Sequence, residues 1–316
     1  MYVVTVGSGN SGGGAIHDYL RDREDFVSPF YGHEFRLIND PDGIDNLYNN
    51  LFNNFSINNS AIAFERFIIF FRLSQKIKKN VKSERKKIYP SNSQKIFSEY
   101  VNKISYLDYY AMPQFKYSNL NFFNKLYFYV KYQILKKKIN KIKLFKMRLP
   151  RDKSIFLQET RKFIDLICQK KKQRKNIILD QSVSYWRPDN FFKYFNNLKV
   201  IIINRDPRSI YYSMKSRNSK AYPSTDVKTF TNWYKKIREE QSKSKNKNIY
   251  FIQYENFLNK FEIESKKLNN FLKINQKIKS KFNLENSKKN ILKAKFNLNK
   301  KELKYLEKEL KKYLVW

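Results

Sequence analysis

The chain has 316 residues, of which 41% are hydrophobic, so it can bury the core of one large α/β domain, and wholesale disorder is excluded. Its 65 Lys and Arg against 28 Asp and Glu give a formal net charge of +37, which favours nucleic acid, anionic lipid or an acidic substrate as a partner. The single cysteine, Cys168, excludes an intramolecular disulfide and a cysteine-ligated metal cluster.

The first predicted strand and the loop after it are the most informative stretch of the N-terminal part. Tyr2–Val6 is a β-branched run that predicts a strand, the glycine-rich segment 7–14 (GSGNSGGG) follows, and residues 15–20 begin a helix. This arrangement points free backbone N–H groups and a helix N-terminus at an anion. We therefore predict a phosphate site at residues 7–14.

Read alone, the loop is ambiguous between two nucleotide-binding motifs. It fits the dinucleotide fingerprint G-x-G-x-x-G at Gly7, Gly9 and Gly12, and it also fits the start of the P-loop G-x-x-x-x-G-K-[ST]. Gly13 and Gly14 stand where that P-loop has its Lys and its Ser or Thr, so an ordinary ATPase or GTPase is disfavoured. A glycine-rich turn without a ligand is the remaining alternative.

A second strand is predicted at residues 25–30, and residues 31–36 (YGHEFR) form the loop after it. Open parallel sheets place their chemistry at the carboxyl ends of strands, so the side chains of this loop are candidates for the site. A turn at residues 39–43 precedes a helix over about residues 44–51.

The middle of the chain, from about residue 61 to residue 170, has helical patterns rich in Lys and aromatic residues. Residues 122–149 carry apolar side chains at close to helical spacing, interrupted by lysines between Lys136 and Lys146. An amphipathic helix with snorkelling lysines is the favoured interpretation. A basic cover over an acidic acceptor and a membrane-surface helix are the alternatives. One more helix is predicted from Ser154 to Cys168.

The lysine content has a compositional explanation as well. Lys, Asn, Ile, Phe and Tyr crowd the chain, and all have AT-rich codons, so a biased genome could supply much of the charge as solvated surface. We favour this explanation over a nucleic-acid function.

No apolar run approaches the ~20 residues of a membrane span, and no signal-peptide pattern is visible. We expect a cytoplasmic protein that is either soluble or peripheral to a membrane.

Short, nearly continuous apolar runs return after the middle region, at residues 176–180, 199–204 and 248–253. Separated by helical patterns, they are typical of a parallel sheet that is covered on both faces. The C-terminal residues 298–314 form a predicted Lys/Glu-rich helix with a stripe of leucines.

The strand at residues 199–204 leads directly into Arg205-Asp-Pro-Arg208. Asp206 is a good helix N-cap, and Pro207 suits the first helical position. Arg205 then stands at the carboxyl edge of the sheet, where a guanidinium can bind an anion, and Ser213 follows inside the helix. The alternative is that Arg205 or Arg208 pairs with a carboxylate and that Ser213 is an ordinary helix residue.

This segment resembles the 3′-phosphate-binding motif of sulfotransferases that use PAPS, 3′-phosphoadenosine-5′-phosphosulfate. The glycine loop is similar to their 5′-phosphosulfate loop, (K/R)-S-G-T-T, whose centre is kept at Ser11-Gly12. The resemblance continues at Asp180-Gln181, at residues 254–257 (YENF) and at residues 287–291 (SKKNI). It leaves the middle hundred residues largely unmatched.

The resemblance implies PAPS as the sulfonate donor and no metal. It implies cofactor contacts from the loop, the arginine motif and a basic C-terminal segment. The residues concerned are Gly9, Asn10, Ser11, Gly12, Gly13, Gly14, Arg205, Ser213, Ser287, Lys293 and Lys295. Asn10 replaces the usual Lys or Arg of the loop, so Arg36 or Lys295 would have to supply that cation.

The implied reaction is an in-line transfer of a sulfonate to a hydroxyl or amine, in which a base takes the acceptor's proton. In carbohydrate sulfotransferases a Glu or His just after the second strand has this role. The resemblance therefore implies Glu34 as the base, with His33 as the second choice. An ion pair between Glu34 and Arg36 or a lysine is the structural alternative.

The fold that the resemblance implies is a single α/β domain over residues 1–316, with a three-layer core like that of P-loop kinases. We expect a parallel sheet of about five strands and a helical insertion at about residues 61–170 on the acceptor side. The implied function is PAPS-dependent sulfation of a glycan or another surface polymer, which could be acidic.

Three other classes of protein remain open. A Rossmann-type oxidoreductase would need an acidic residue at the end of the second strand, for which Glu34 is available, but the Arg205 segment would then have no role. A basic binding protein for RNA or anionic surfaces would bind polyanions in a salt-sensitive way. A family member that binds PAPS but has lost activity is compatible with Asn10.

Overall fold

The computed structural model describes residues 1–30, 33–74, 89–134, 144–169, 175–219, 221–278, 280–289, 291 and 298–315. By their contacts the residues divide into two compact units. Unit 1 comprises Met1–Asn39 and Cys168–Trp316, and unit 2 comprises Asp40–Ile167. Unit 2 starts earlier than the predicted insertion at residues 61–170, and the organisation of both units as one domain stays a prediction.

Unit 1 contains a five-stranded parallel sheet in the order β2-β5-β1-β6-β7. The chain adds β2 and β5 on one side of β1, and β6 and β7 on the other, so a topological switch point lies at the carboxyl end of β1. The predicted fold class, α/β with a P-loop-like core and about five parallel strands, is confirmed. The strands are β1 (Tyr2–Gly7), β2 (Phe26–Val27), β5 (Asn176–Asp180), β6 (Leu198–Asn204) and β7 (Ile249–Gln253).

The helices of unit 1 begin where the sequence supplies caps. The carboxylate of Asp206 accepts a hydrogen bond from Arg208 N at the start of α8, and that of Asp226 accepts from Lys228 N and Thr229 N at the start of α9. The helices are α1 (Gly13–Arg21), α8 (Pro207–Ser216), α9 (Val227–Ser242), α10 (Tyr254–Asn259), α11 (Phe261–Leu272), α12 (Leu284–Lys288) and α13 (Lys300–Glu309), with 3₁₀ turns at Pro188–Tyr194 and Lys311–Tyr313.

The core of unit 1 lies against the central strands. Every residue of β1 is buried, so side chains on both faces of this strand are covered, as its continuous apolar run indicates. On one face, Val3, Ile201 and Ile252 pack in a cluster with residues of α1, α10 and α11, including Leu20 and Phe257. Burial of this apolar face holds α1 in place, and with it the loop that precedes α1.

Unit 2 is built around stacked aromatic rings. Phe71 of α3 stacks on Phe97 of α4 at 3.8 Å between centroids, and Tyr100 of α4 stacks on Phe163 of α7 at 4.4 Å. Its elements are α2 (Ile44–Tyr48), a π-helical turn (Asn49–Asn53), α3 (Ile57–Ser74), α4 (Ser93–Ile104), β3 (Ser105–Ala111), α5 (Gln114–Ser118), α6 (Phe122–Phe128), a second π-helical turn (Tyr129–Ile134), β4 (Phe145–Pro150) and α7 (Lys153–Ile167).

The prediction of one helix over residues 122–149 is wrong in its last part, because β4 pairs antiparallel with β3. The alternation of apolar and basic residues in β4 (FKMRLP) has the two-residue period of a strand, and Met147 is buried. Across the ladder, Asp108 lies 2.7 Å from Lys146 and 3.6 Å from Arg148. These cross-strand ion pairs favour the hairpin over a helix.

Other element boundaries differ from the predicted ones. The second strand is only two residues long, since Pro29 has no N–H to donate and β2 lies at the edge of the sheet. The helix expected at residues 44–51 gives way to a π-helical turn after Tyr48, and the C-terminal helix ends at Glu309. Five lysines of the helix predicted at residues 122–149 lie outside the described residues, namely Lys136, Lys137, Lys138, Lys141 and Lys143. Among the described helices, none combines the length and apolar character needed to cross a bilayer.

We expect Phe257→Ala to destabilise the protein by about 3–5 kcal/mol, because this fully buried ring would leave a cavity in the core of unit 1. Phe251→Ala is the matched control, since that ring is 43% exposed on the edge strand β7 and its loss should cost no more than about 1 kcal/mol. Urea unfolding followed by circular dichroism compares the two. Equal midpoints for the two variants would contradict this account of the core.

Candidate functional site

A cleft of about 770 Å³ opens at the carboxyl end of β1. The described residues that line it all belong to unit 1 and include the whole loop from Gly7 to Gly14. The cleft therefore lies at the switch point, where open parallel sheets bind their ligands. The structure brings the predicted residues Arg205, Ser213, Glu34 and Ser287 to the same cleft.

The loop has the backbone conformation of an anion-binding turn. Asn10 (φ 65°) and Gly12 (φ 85°) are left-handed, and Ser11 N donates to Ser8 O over 3.0 Å. Alternation of this kind turns successive N–H groups toward a common centre, and α1 begins directly after it without a side-chain cap. The loop can thus offer backbone donors to a phosphate without the usual lysine.

Two tyrosine rings lie close against the glycines of the loop. A Cβ atom at Gly9 would lie 2.4 Å from the Tyr222 ring, and one at Gly12 would lie 2.3 Å from the Tyr254 ring. Gly12 needs to be glycine because its φ of 85° is left-handed and the Tyr254 ring fills the Cβ position, whereas a side chain at Gly9 would require the Tyr222 ring to move. The rings give the cleft aromatic walls beside its anion-binding loop.

Arg205 connects the loop to the end of β6. Its Nη1 donates to Asn10 O over 2.9 Å, and its guanidinium lies 5.1 Å from the Tyr254 ring centroid. The Nε atom is 3.9 Å from Oε1 of Glu255, which is fully buried. Burial lowers the pKa of Arg205, but an arginine stays charged in proteins. The result is a fixed positive charge at the carboxyl edge of the sheet.

The second arginine of the motif has a structural role instead. Arg208 Nη2 lies 2.9 Å from Asp206 Oδ2, and its Nη1 lies 2.8 Å from Glu307 of α13. Asp206 N in turn donates to Glu255 Oε1 over 2.9 Å. Both arginines thus lie near carboxylates, but only Arg205 also lines the cleft and contacts the glycine loop.

One face of α8 forms a polar wall of the cleft. Ser209, Ser213 and Arg217 follow one another at four-residue spacing, so they share a face of the helix, and all three line the cleft. Ser209 is 1% exposed, and its Oγ has no hydrogen-bond partner among the described residues. Arg217 is exposed at the C-cap of α8. This wall places two serine hydroxyls and a guanidinium in the same cleft as Arg205, and such groups can donate hydrogen bonds to an anion.

Glu34 and His33, the predicted bases, are placed differently. Glu34 lines the cleft but is exposed, and its Oε2 lies 3.5 Å from Arg36 Nη1. The ion pair considered as an alternative from the sequence is therefore present. His33 is exposed and is not among the residues that line the cleft.

A second carboxylate, Asp180, lies near Glu34 at the end of β5. The Phe35 amide donates to Asp180 O over 2.9 Å, which brings the Glu34 segment beside Asp180. Burial, and then the charge of Glu34, raise the pKa of Asp180 to about 6. At neutral pH this carboxylate can both lose and regain a proton.

The C-terminal contacts are only partly within the described chain. Ser287 lines the cleft, and Tyr254 Oη donates to Ser287 O over 3.3 Å. Lys293 and Lys295 lie outside the described residues.

Sequence reasoning missed Ser209, Arg217 and Tyr222 as lining residues. The helical period gives Ser209 and Arg217, because both lie one turn from Ser213 on the helix that starts at Pro207. No sequence signal marks Tyr222, which reaches Gly9 only through the tertiary structure.

Residues 99–277, more than half of the chain, match the sequence profile described as the Sulfotransferase family. The chain belongs to the sulfotransferase family. It is therefore a sulfotransferase enzyme, and its matched region contains Arg205, Ser213 and Asp180. The glycine loop and Glu34 lie before the matched region, so their assignment depends on geometry. Among curated proteins, none matches the chain.

Solved sulfotransferase structures resemble this one weakly. The "Sulfotransferase Domain from the Curacin Biosynthetic Pathway" is 14% identical, with a TM-score of 0.45 over 99% of this chain and 98% of its own. STF1 from Mycobacterium tuberculosis H37Rv is 8% identical, with a TM-score of 0.40 over 98% and 75%. Mouse SULT7A1 complexed with PAP is 16% identical, with a TM-score of 0.34 over 48% and 70%. The family assignment accordingly depends on the sequence match.

We expect Gly12→Ala and Gly14→Ala to have opposite effects on stability. Gly12→Ala places a Cβ in a left-handed residue against the Tyr254 ring, which should cost at least about 1–2 kcal/mol. Gly14 is helical with open space around its Cβ position, so Gly14→Ala should stabilise the protein by about 0.5–1 kcal/mol. Chemical denaturation measures both, and a neutral Gly12→Ala would contradict the described loop conformation.

Proposed function

We propose that this sulfotransferase uses PAPS as its donor and transfers the sulfonate to a hydroxyl or amine of a glycan or another surface polymer. The observation that carries the donor assignment is that one cleft holds two sets of hydrogen-bond donors suited to anions, the glycine loop and the group of Arg205 with the α8 wall. Arg205 belongs to both, because it donates to the loop at Asn10 and stands beside the wall formed by α8. PAPS carries two separated anionic groups, which matches this pairing.

The residues present fit such a donor. Ser209 Oγ is a buried hydroxyl without a partner in the described chain, and the glycine loop offers N–H groups where a side chain would not fit. The loop and the N-terminus of α1 would hold the 5′-phosphosulfate. Arg205, Ser213 and the N-terminus of α8 would hold the 3′-phosphate. When bound, PAPS supplies the sulfonate that is transferred.

The chain's own residues orient the reactants and stabilise charge. Fixed donors at the loop favour the negative charge that develops on the leaving phosphate, and they need no reorganisation during the reaction. Asn10 leaves the loop without a cation, and Arg36 and Arg217 are the other described cations that line the cleft. Arg217, with no ion-pair partner in the described chain, is the better placed to replace it.

The glycan acceptor is supported by the resemblance to carbohydrate sulfotransferases in the segment after the second strand. A Rossmann oxidoreductase, considered from the sequence, would use Glu34 to bind a ribose. Glu34 instead lies beside Arg36. An oxidoreductase would also leave the buried Arg205 without a role.

We expect Arg205→Ala to weaken PAP binding by roughly 10- to 150-fold, because a charge-assisted hydrogen bond contributes about 1.5–3 kcal/mol. Ser213→Ala should have a smaller effect. Adenosine 5′-phosphosulfate lacks the 3′-phosphate, so Ser213→Ala should leave its affinity unchanged. Arg205→Ala should weaken it less than it weakens PAP, because only the contact with Asn10 O is lost. Isothermal titration calorimetry measures the affinities for PAP and for adenosine 5′-phosphosulfate. The ratio of these two affinities identifies a 3′-phosphate site.

Arg208→Ala is the matched control, since it removes a guanidinium from the same motif but from the structural side. It should lower thermal stability without changing the ratio of the two affinities. Equal binding of PAP and adenosine 5′-phosphosulfate by the wild-type protein would refute the donor assignment, as would normal PAP binding by Arg205→Ala.

A further inference from the structure

Asp180 occupies a central place at the cleft that the proposed function leaves unassigned. It ends β5, which pairs with β1, and its register partner on β1 is Thr5. Its side chain lines the same cleft as the glycine loop. A carboxylate on a central strand is held by the sheet, whereas Glu34 lies on the loop segment after the short edge strand β2.

A chain of buried polar groups supports the Asp180 side chain from behind. Thr5 Oγ1 lies 3.4 Å from Asp180 Oδ1 and 3.0 Å from His17 Nδ1 on α1. Burial lowers the pKa of His17 to about 4, so the ring is neutral at neutral pH. A neutral ring that donates from Nδ1 to Thr5 leaves the Thr5 proton for Asp180 Oδ1 and Leu179 O, which both lie 3.4 Å from Thr5 Oγ1. The polar chain thus orients Asp180 without adding a formal charge beside it.

The groups that face Asp180 set its titration. Burial raises the pKa of Asp180 most, and Glu34 from the segment after β2 and Asp18 from α1 raise it further. Hydrogen bonds from Thr5 and from the Gln181 backbone lower it. His17 is neutral. Arg36, Arg205 and Arg217 are the described cations on the cleft wall. A carboxylate whose pKa lies near 6 is a stronger base than an ordinary one and is still ionised at neutral pH.

Glu34 is less suited to the same task. Its side chain is about half exposed, and its nearest charged partner is the equally exposed Arg36 at 3.5 Å. An exposed ion pair of this kind holds its carboxylate weakly in water. Its closeness to Asp180 gives it another effect, since its negative charge makes Asp180 a better base.

We propose that Asp180 is the catalytic base of this sulfotransferase and that Glu34 is a positioning residue that acts on it. The acceptor oxygen or nitrogen forms its bond to sulfur while the bond from sulfur to the 5′-phosphate oxygen breaks, and that electron pair leaves on PAP. The acceptor's proton passes to the Asp180 carboxylate. This inference rests on the proposed function.

The test compares Asp180→Asn with Glu34→Gln. Asp180→Asn should lower kcat by roughly 10²–10⁴-fold and leave PAP affinity within a few-fold of wild type. Glu34→Gln should lower kcat by no more than about tenfold, since it removes only an influence on the base. Because the raised pKa makes the Asp180 charge unfavourable above about pH 6, Asp180→Asn should not lower the melting temperature at pH 8.

The pH dependence of kcat/KM separates a base from a merely structural carboxylate. Wild-type activity should fall on the acid side with a midpoint near pH 6. Glu34→Gln removes a negative charge and should move this midpoint to lower pH. Thr5→Val removes a hydrogen bond that favours the ionised form and should move it to higher pH.

The outcomes distinguish failure of this inference from failure of the proposed function. Full turnover by Asp180→Asn would exclude Asp180 as the base and overturn the inference. Loss of turnover in Glu34→Gln alone would assign the base to Glu34 and also overturn it. Midpoints that do not move in Glu34→Gln and Thr5→Val would also overturn it. Absence of PAP binding by wild-type protein would instead defeat the proposed function.

A separate observation in unit 2 concerns its surface. We define the aromatic patch as the exposed apolar side chains of α6 and the π-helical turn after it. These are Phe122, Phe123, Leu126, Tyr127, Tyr129, Val130 and Ile134. Phe122 and Phe123 are 71% and 78% exposed. A group of exposed apolar side chains on one short helical segment is typical of an interaction surface.

The charge around the aromatic patch indicates its partner. Among the described lysines of residues 112–147, Lys116 and Lys146 are paired with Glu65 and Asp108, which leaves two that belong to the patch segment. Lys125 and Lys131 lie within the patch segment, and Lys131 Nζ donates to Tyr127 Oη over 2.8 Å. Aromatic rings beside lysines suit the interface of an anionic bilayer, where rings enter the headgroup layer and ammonium groups meet lipid phosphates.

We infer that the aromatic patch binds the surface of an anionic membrane. Sedimentation with phosphatidylcholine vesicles, with and without phosphatidylglycerol, at moderate salt measures it. Wild-type protein should sediment with the mixed vesicles only. Phe122→Ser with Phe123→Ser should weaken binding at least about tenfold at unchanged net charge. Phe55→Ser with Ile57→Ser is the matched control, because both are exposed in unit 2 outside the patch, and it should bind as wild type does.

Three results would overturn this second inference. Equal binding by both double variants would show that charge alone attracts the protein to vesicles. Binding to a sulfated polysaccharide that needs Phe122 and Phe123, without vesicle binding, would assign the patch to an acidic polymer. Concentration-dependent dimerisation that the patch variant abolishes would assign it to a second copy of the chain.

Discussion

The contact between Arg205 and the loop carbonyl of Asn10 is the interaction on which the cleft depends. It joins the turn after β1 to the turn after β6, which are separated by almost two hundred residues in the chain. Adjacent parallel strands bring their carboxyl ends to one edge, so the two turns meet only when the sheet has formed. The anion-binding regions are therefore a product of strand order.

Buried carboxylates hold this arginine in position. Glu255 accepts from Asp206 N and lies near Arg205 Nε, and Asp206 also accepts from Arg208 and from Val315 N. Burial raises the pKa of Glu255, which shows that its charge is costly there and needs these donors. The motif thus divides its two arginines between a ligand-facing role and a structural one.

Although the protein is strongly basic, positive and negative side chains are equal in number among the described residues of the cleft. The described residues that line the cleft include as many carboxylates as guanidinium groups and no lysine. The guanidinium groups and the loop N–H donors suit an anionic donor, whereas the pair of Glu34 and Asp180 suits proton transfer. Because no lysine is among those described lining residues, the net charge of +37 says little about the chemistry of the cleft.

The sequence by itself determined the elements whose signals are local. The strands at residues 176–180 and 199–204, the cap at Asp206 and the glycine loop follow from short-range rules of propensity and capping, and they led to the correct fold class and family. The sequence did not predict the hairpin of β3 and β4, because the cross-strand pairs of Asp108 join residues that are distant in sequence. Likewise, only the tertiary structure separated Arg205 from Arg208 and placed Tyr222 on Gly9. Burial and the proximity of charges decide such roles, and both depend on which distant residues the folded chain brings together.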